Sequence, residues 1–516
     1  MYMNILILSM RWFSFFIFIL ISTISSANSL PWINHPDYLI FGVPNKFSNV
    51  VDPNLSVDAQ TKFVLPLIFE PLISVNAQQE LQPVLAKSWV VSPDQKSITI
   101  TIASGHYFSN GQEVTAYDVE NSFRRLCSKG SQSSYEVQAI IGCNLYSPHI
   151  YVLNRYQIRF EINREPTIFL YQISSQRSVI VKSDRGKLIG SGPYILDEIN
   201  PNYLLLSKNK YYYNKISLKN DGLIIEYIDE NTINQTLKEF HPDGSIMYRI
   251  SAISKINNTN YITINDKPYI TQILVLNNQR FPFNSEIVRR AILVNLYNQN
   301  KISSCLSGAI KAYGIIPNGI GGSLYNMAPE TLQPILPAEV FKAVPKLRNH
   351  FITVLIPQHL GRKNNCEADS FINAARPYHI NVKFHYYQSY TNLWPLYFNH
   401  RLNGYVELFI TKNREAYTTL QYFTTENSEN FANTKDKNLD NLMNNALNAP
   451  TSLQRFDSYH KMAQYIEDRA IVIPYYYIGS SNLVSKCLGG VSKDFNFNPF
   501  QYLPGTYRIT GCKLHF

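Results

Sequence analysis

Ile98-Thr99-Ile100-Thr101-Ile102 alternates apolar and polar residues without a break. That is the period of a strand with one buried face. His106-Tyr107-Phe108-Ser109-Asn110-Gly111 follows and closes on a turn signal, Asn110-Gly111. Val114-Thr115-Ala116-Tyr117-Asp118-Val119 then opens a helix. Thr115 and Asp118, three residues apart, have the form of a capping box. Val119, Phe123 and Leu126 give that helix one apolar face. A strand, a turn and an amphipathic helix in direct succession imply mixed α and β structure.

The same two periods recur on either side. Leu223 to Ile228 and Ile273 to Leu276 are β-type runs. Ser285 caps a helix with Glu286 in its first turn and Ile287, Ala291 and Val294 on one side. Ile352 to Ile356 and Ile380 to Phe384 are strands. Leu439, Leu442, Met443, Ala446 and Leu447 recur at helical spacing, and Phe456, Tyr459, Ala463 and Ile466 form a further face. Ile471-Val472-Ile473 begins a late strand that Pro474 interrupts, so an edge strand or a crossing segment is expected there. The sum is an α/β or α+β protein of more than one domain.

The chain has 516 residues, enough for roughly three domains at about 150 residues each. Hydrophobic residues make up 45%, which excludes a disordered chain. Only 16% are charged, below the roughly 25% of an average soluble domain. The surface must lean on Asn, Gln, Ser, Thr and the 36 Tyr. The net charge of +10 is spread along the chain without a basic run, which excludes a nucleic-acid footprint.

Trp12 to Ile21 is almost wholly apolar, Arg11 precedes it and small polar residues follow from Ser22 to Ser29. Ser25 and Ala27 stand at −3 and −1 of a cut before Asn28, the layout of a cleaved secretory signal peptide over residues 1–27. An uncleaved anchor is the competing reading, since about 20 apolar residues span a bilayer. No Cys lies near the cut, which argues against a lipoprotein. All six Cys lie beyond it, consistent with an oxidising compartment. Six Cys allow fifteen pairings. Local closure favours Cys127 with Cys143 and Cys487 with Cys512, leaving Cys305 for Cys366.

Catalytic signatures are missing: no GxSxG, HExxH, GxxxxGK[ST] or GxGxxG occurs. His350, His359, His379, His385 and His400 are fairly dense, but their spacing sets no two on one helical turn. No enzyme activity, no cofactor and no metal is expected.

Several separate blocks carry a resemblance. Phe69-Glu70-Pro71-Leu72-Ile73, Leu81-Gln82-Pro83-Val84-Leu85-Ala86-Lys87-Ser88-Trp89 and Ser92-Pro93-Asp94 lead into the strand, turn and helix quoted first. Ile189-Gly190-Ser191-Gly192-Pro193-Tyr194 runs on to Asn209-Lys210-Tyr211-Tyr212. Leu276-Asn277-Asn278-Gln279-Arg280-Phe281-Pro282-Phe283 precedes Val288-Arg289-Arg290-Ala291. Asn438-Leu439-Asp440-Asn441-Leu442, Arg455, Tyr459 and Ile473-Pro474-Tyr475-Tyr476 complete the series. In this order, over roughly residues 38–480, the chain resembles the family 5 extracellular solute-binding proteins, the oligopeptide and dipeptide receptors of ABC importers. Gly190 and Gly192 are expected at a tight turn that needs glycine's φ freedom, and Trp89 in a core.

The resemblance implies an α/β, two-lobed periplasmic binding protein fold, type II and cluster C-like, with an extra subdomain in the first lobe. Lobe I would span 28–273 and lobe II 274–473, with 474–516 returning to lobe I. The crossings are expected near Leu274–Asn278 and Ile473–Tyr477. A peptide or similar polar solute would lie between the lobes and pass to an ABC permease and ATPase, the receptor being a periplasmic monomer. The family's Trp-x-x-Asp stretch, whose Asp meets a peptide's terminal ammonium, reads here Thr411-Lys412-Asn413-Arg414-Glu415-Ala416-Tyr417. The resemblance therefore implies a choice: Glu415 preserves amine recognition, whereas Arg414 in the cleft favours an anion. Trp394, Asn413, Tyr107, Glu70 and Asn45 are further candidate ligand contacts. The altered stretch leaves one alternative, an exported homologue acting as a sensor or interaction partner without transport.

Overall fold

The computed structural model describes residues 34–48, 50–55, 59–76, 80–129, 131, 137, 139–229, 232–239, 242–249, 260–265, 270–299, 309–324, 333–348, 350–357, 366–387, 402–410, 415–427, 430, 432–449, 451–492 and 499–512. The expected signal peptide, and Cys305 with its expected pairing, lie outside these. Among the described residues no helix is long and apolar enough to cross a membrane.

Lobe I is built on a seven-stranded mixed sheet. Its order is Tyr194–Ile199, Tyr203–Lys208, Gly222–Tyr227, Leu39–Val43, Gly244–Arg249, Ser480–Ser485 and Tyr261–Asn265. Leu39–Val43 runs parallel to both of its neighbours. All five of its residues are buried, as a strand covered on both faces must be. The helix Ala59–Ile68 packs Val64, Leu65 and Ile68 against Phe41, Leu204 and Leu223 of the sheet.

The extra subdomain hangs from this lobe as a four-stranded antiparallel sheet. Its order is Ala86–Val91, Ser97–Ile102, Gln157–Glu161 and Ile150–Asn154. Ile98, Ile100 and Ile102 are buried while the residues between them are half-buried, so the alternation in the sequence is the pleat of the sheet. These isoleucines meet Val119, Phe123 and Leu126 of the helix Ala116–Leu126. At its start the Thr115 amide donates to the Asp118 carboxylate at 2.9 Å. Trp89 is half-buried against the same core.

Lobe II is a six-stranded sheet ordered Ile310–Lys311, Val472–Ile478, Ile270–Leu276, Gly404–Ile410, His350–Pro357 and Ile380–Tyr387. The helices Glu286–Asn298 and Cys366–Ala375 share a core with one face. The helices Lys437–Leu447 and Ser452–Asp468 share a second core with Ile273 and Val275.

Two chain crossings join the lobes among the described residues. Tyr261–Asn265 belongs to the lobe I sheet and Ile270–Leu276 to the lobe II sheet. Val472–Ile478 and Ser480–Ser485 divide in the same way at Gly479. The expected crossings near Leu274–Asn278 and Ile473–Tyr477 therefore need correction by several residues. Those positions sit inside the lobe II sheet, in the strands Ile270–Leu276 and Val472–Ile478. At the second crossing the strands Val472–Ile478 and Ser480–Ser485 are separated by Gly479 alone, so the chain changes sheets within one β-type run, which a hydrophobic pattern does not mark. Pro474 is likewise not at an edge. It lies in a fully buried strand, where the neighbouring strand shifts register between Gln272 and Ile273. On the other side Ile310–Lys311 pairs only with Tyr477 and Tyr476. The missing N–H is absorbed by a bulge and a very short neighbour.

Gly190 and Gly192 serve close packing and not φ. A Cβ on Gly190 would lie 2.1 Å from the Ile68 carbonyl oxygen, and one on Gly192 2.7 Å from the Ile68 carbonyl carbon. Only a residue without a side chain lets these two backbones meet.

Both locally favoured disulfides are present, Cys127–Cys143 and Cys487–Cys512. The second ties down a C-terminal arm whose Phe500 and Leu503 complete the lobe I core. Arg508 on the same arm donates to both oxygens of buried Asp243 at 2.9 and 2.8 Å. Replacing Cys487 and Cys512 by Ser is expected to cost about 3 kcal/mol through the freed loop. Urea unfolding should show this as a lower midpoint.

Candidate solute-binding cleft

The two lobes meet along a seam formed by the extra subdomain and lobe II. On the subdomain side, Pro166–Ile173 is a helix with Glu165 at its N-cap. The Glu165 carboxylate accepts from the Ile168 amide at 3.2 Å and from the Thr167 hydroxyl at 2.9 Å. On the other side stands the helix Ser452–Asp468, whose buried face carries Arg455, Tyr459, Met462, Ala463 and Ile466.

Arg455 organises this seam. It is 2% exposed, as is Glu415. Its Nε donates to both Glu415 oxygens at 3.1 Å, and its Nη2 donates to Oε1 at 2.8 Å. The Tyr459 hydroxyl donates to the other Glu415 oxygen at 3.0 Å. The remaining nitrogen, Nη1, lies 3.3 Å from Glu165 on the opposite side of the seam. Burial alone would lower the Arg455 pKa, but the hydrogen bond and charge of Glu415, followed by the charge of Glu165, outweigh it and raise the pKa. Ile168, 1% exposed, crosses the seam too and packs in the lobe II core.

Beside these contacts the seam opens into a cavity of about 360 Å³. Asn144, Asn163 and Arg164 line it from the subdomain, and Tyr417, Gln421 and Asn427 are among its residues from lobe II. The walls are largely carboxamides and hydroxyls, groups that can both donate and accept.

The expected contact residues fall in three places. Trp394, Asn413 and Arg414 lie outside the described residues. Glu415 lies at the seam, but its contacts correct the expectation that it receives a terminal ammonium. Both oxygens already serve Arg455 and Tyr459, so it acts as the counter-ion of a buried guanidinium. The others are in lobe I. Asn45 is exposed just past the carboxyl end of Leu39–Val43, the side of such sheets on which ligands bind. Tyr107 is 39% exposed and bridges to Glu113 within the subdomain. Glu70 is buried 3.8 Å from His106. Burial raises its carboxyl above the ordinary range, against the opposing effects of His106 and Ser191.

Sequence reasoning missed Arg455 and Glu165 as partners. A signal existed for Arg455, a charge at i with Tyr459, Met462, Ala463 and Ile466 on the buried face of one helix. Nothing local marked Glu165. Of the histidines, His350 and His379 pack edge-on against Phe281 and Phe341. Among the described residues no group of three or more His, Cys, Asp or Glu is placed to hold a metal.

Residues 80–346 match the model for the middle region of the bacterial extracellular solute-binding proteins, family 5. The chain belongs to this family. This solute-binding protein is therefore extracytoplasmic, and its two-lobed architecture is that of the family's solved structures. The dipeptide-binding protein DppE of Bacillus subtilis is 21% identical over 496 residues, 85% of this chain and 87% of that protein. The probable D,D-dipeptide-binding periplasmic protein DdpA of Escherichia coli is 25% identical over 296 residues, which is 53% of this chain and 56% of that relative's length. Haemophilus influenzae OppA in complex with the peptide RPPGFSPFR superposes with a TM-score of 0.79 at 17% identity, covering 92% of this chain and 99% of that one. The Escherichia coli murein tripeptide binding protein MppA gives 0.78 at 17% identity, covering 92% and 99%. The unliganded open form of MppA gives only 0.63 at 17% identity, covering 92% and 97%.

Proposed function

We propose that this protein is the periplasmic receptor of an ABC importer, that it binds a peptide between its lobes, and that it delivers the peptide to a membrane permease and ATPase. One observation carries the reading: two lobes, each with its own sheet and core, are joined by crossings between the two sheets and meet across a polar seam. Such a body can close by rotation at the crossings, and a solute that touches both lobes favours the closed form. Relatives named for dipeptides and oligopeptides supply the ligand class. An extended peptide suits this frame, because its backbone hydrogen bonds can be met irrespective of side chain. Asn45, Tyr107 and Glu70, with Trp394, Asn413 and Arg414, remain the proposed contacts.

The test is thermal. A peptide at about 100 times its Kd should stabilise the protein by roughly 2.7 kcal/mol, seen as a rise in melting temperature. Native mass spectrometry of protein purified without refolding should show the peptide it carries. A flat melting temperature across di- to pentapeptides, with no bound mass, sinks the peptide reading.

A further inference from the structure

The Arg455 guanidinium spends two of its nitrogens inside lobe II and one across the seam. Nε and Nη2 are saturated by Glu415 and Ser452. Nη1 faces Glu165, which belongs to the subdomain of the other lobe. Three residues further on, Ile168 is buried and belongs to the core cluster that also holds Leu420, Tyr459 and Ala463 of lobe II. A charged contact and an apolar contact thus arise one helical turn apart on one short element.

We propose that Glu165 is a positioning residue: with Ile168 it latches the extra subdomain to lobe II and biases the protein toward closure before any solute arrives. This rests on the reading of the protein as a receptor whose lobes open and close. The electrostatics permit such a latch. Glu415 alone neutralises Arg455 when the lobes part, so opening strands no buried charge. Glu165 is 20% exposed on its side chain, so its share of the contact is modest and reversible. A stronger, fully dry pair would lock the lobes. The bias has two consequences. Solute would enter through spontaneous openings, and a bound solute would leave slowly, since release must break the latch as well as the solute's own contacts.

Glu165→Gln isolates the charge, because a Gln side-chain oxygen can still accept from the Ile168 amide and cap the helix. Ile168→Ala removes the apolar half. Glu120→Gln, on the same subdomain, half-buried like Glu165 but paired with Arg124 of its own helix, serves as the control. X-ray scattering on the full exported protein without added peptide should give a larger radius of gyration for Glu165→Gln and for Ile168→Ala than for the parent and the control. With a mixed tetrapeptide pool as probe, peptide release from Glu165→Gln should be about three- to tenfold faster, with the melting temperature of the ligand-free protein little changed. A merely structural Glu165 would shift melting and leave release alone. Equal radii for all four proteins overturn the latch. A pool that leaves the parent's melting temperature unmoved overturns the peptide reading and not the latch, which scattering decides by itself.

Discussion

Arg455→Met is expected to destabilise the protein by about 3–5 kcal/mol, the cost of leaving a buried carboxylate without its partner. Glu415 is 2% exposed and receives hydrogen bonds from both Nε and Nη2 of Arg455. With the guanidinium gone, the neutral Tyr459 hydroxyl still donates to that carboxylate. One neutral donor does not offset the desolvation of an ion. Arg455→Met combined with Glu415→Met should recover most of the loss, since an apolar pair of similar volume leaves no stranded charge. Urea unfolding of the two single variants and the double variant gives the coupling directly. If Arg455→Met costs no more than the double variant, the pair does not hold this part of lobe II.

The second large effect is a dependence on pH seated at Glu467. Its carboxylate accepts from the Tyr297 hydroxyl, and its other oxygen is buried with no hydrogen-bond partner among the described residues. Burial first, opposed by the Tyr297 hydrogen bond, pushes its pKa up from 4.5 to about 7. Between those values the folded protein keeps a proton that the unfolded chain has lost. The folded state then binds more protons, so stability falls as pH rises across that window. Each unit of displacement is worth about 1.4 kcal/mol, so the full loss is on the order of 3 kcal/mol between about pH 4.5 and 7. Glu467→Gln cannot titrate. The stability difference between variant and parent should therefore move in the variant's favour by about that amount from pH 5 to pH 8. Parallel profiles for the two proteins would show that Glu467 ionises normally.

Elements whose period repeats locally were legible. The isoleucine strand, the helix at Thr115 and the helix Lys437–Leu447 stand where their patterns put them, because burial of one face writes itself into a short stretch. Short disulfide loops were legible for a similar reason: nearby Cys meet most often. The family was legible because its blocks keep their order along the chain. The site was far less so. Glu415 looked like a ligand carboxylate because its stretch takes the place of one that holds an Asp in the family, and only its three-dimensional neighbours show that it is spoken for. The glycines at 190 and 192 looked like turn formers, yet the backbone they approach is that of Ile68, more than a hundred residues earlier.

The amino-acid order by itself determined the mixed architecture, the family and two of the cross-links, since each depends on contacts or patterns within a few tens of residues. The folded chain alone decided where the lobes exchange strands, which acid answers Arg455, and that Glu165 reaches it from the other lobe. Those facts join residues 40 and 290 positions apart. No local spacing encodes such a meeting: it exists only once two separately packed bodies have come together.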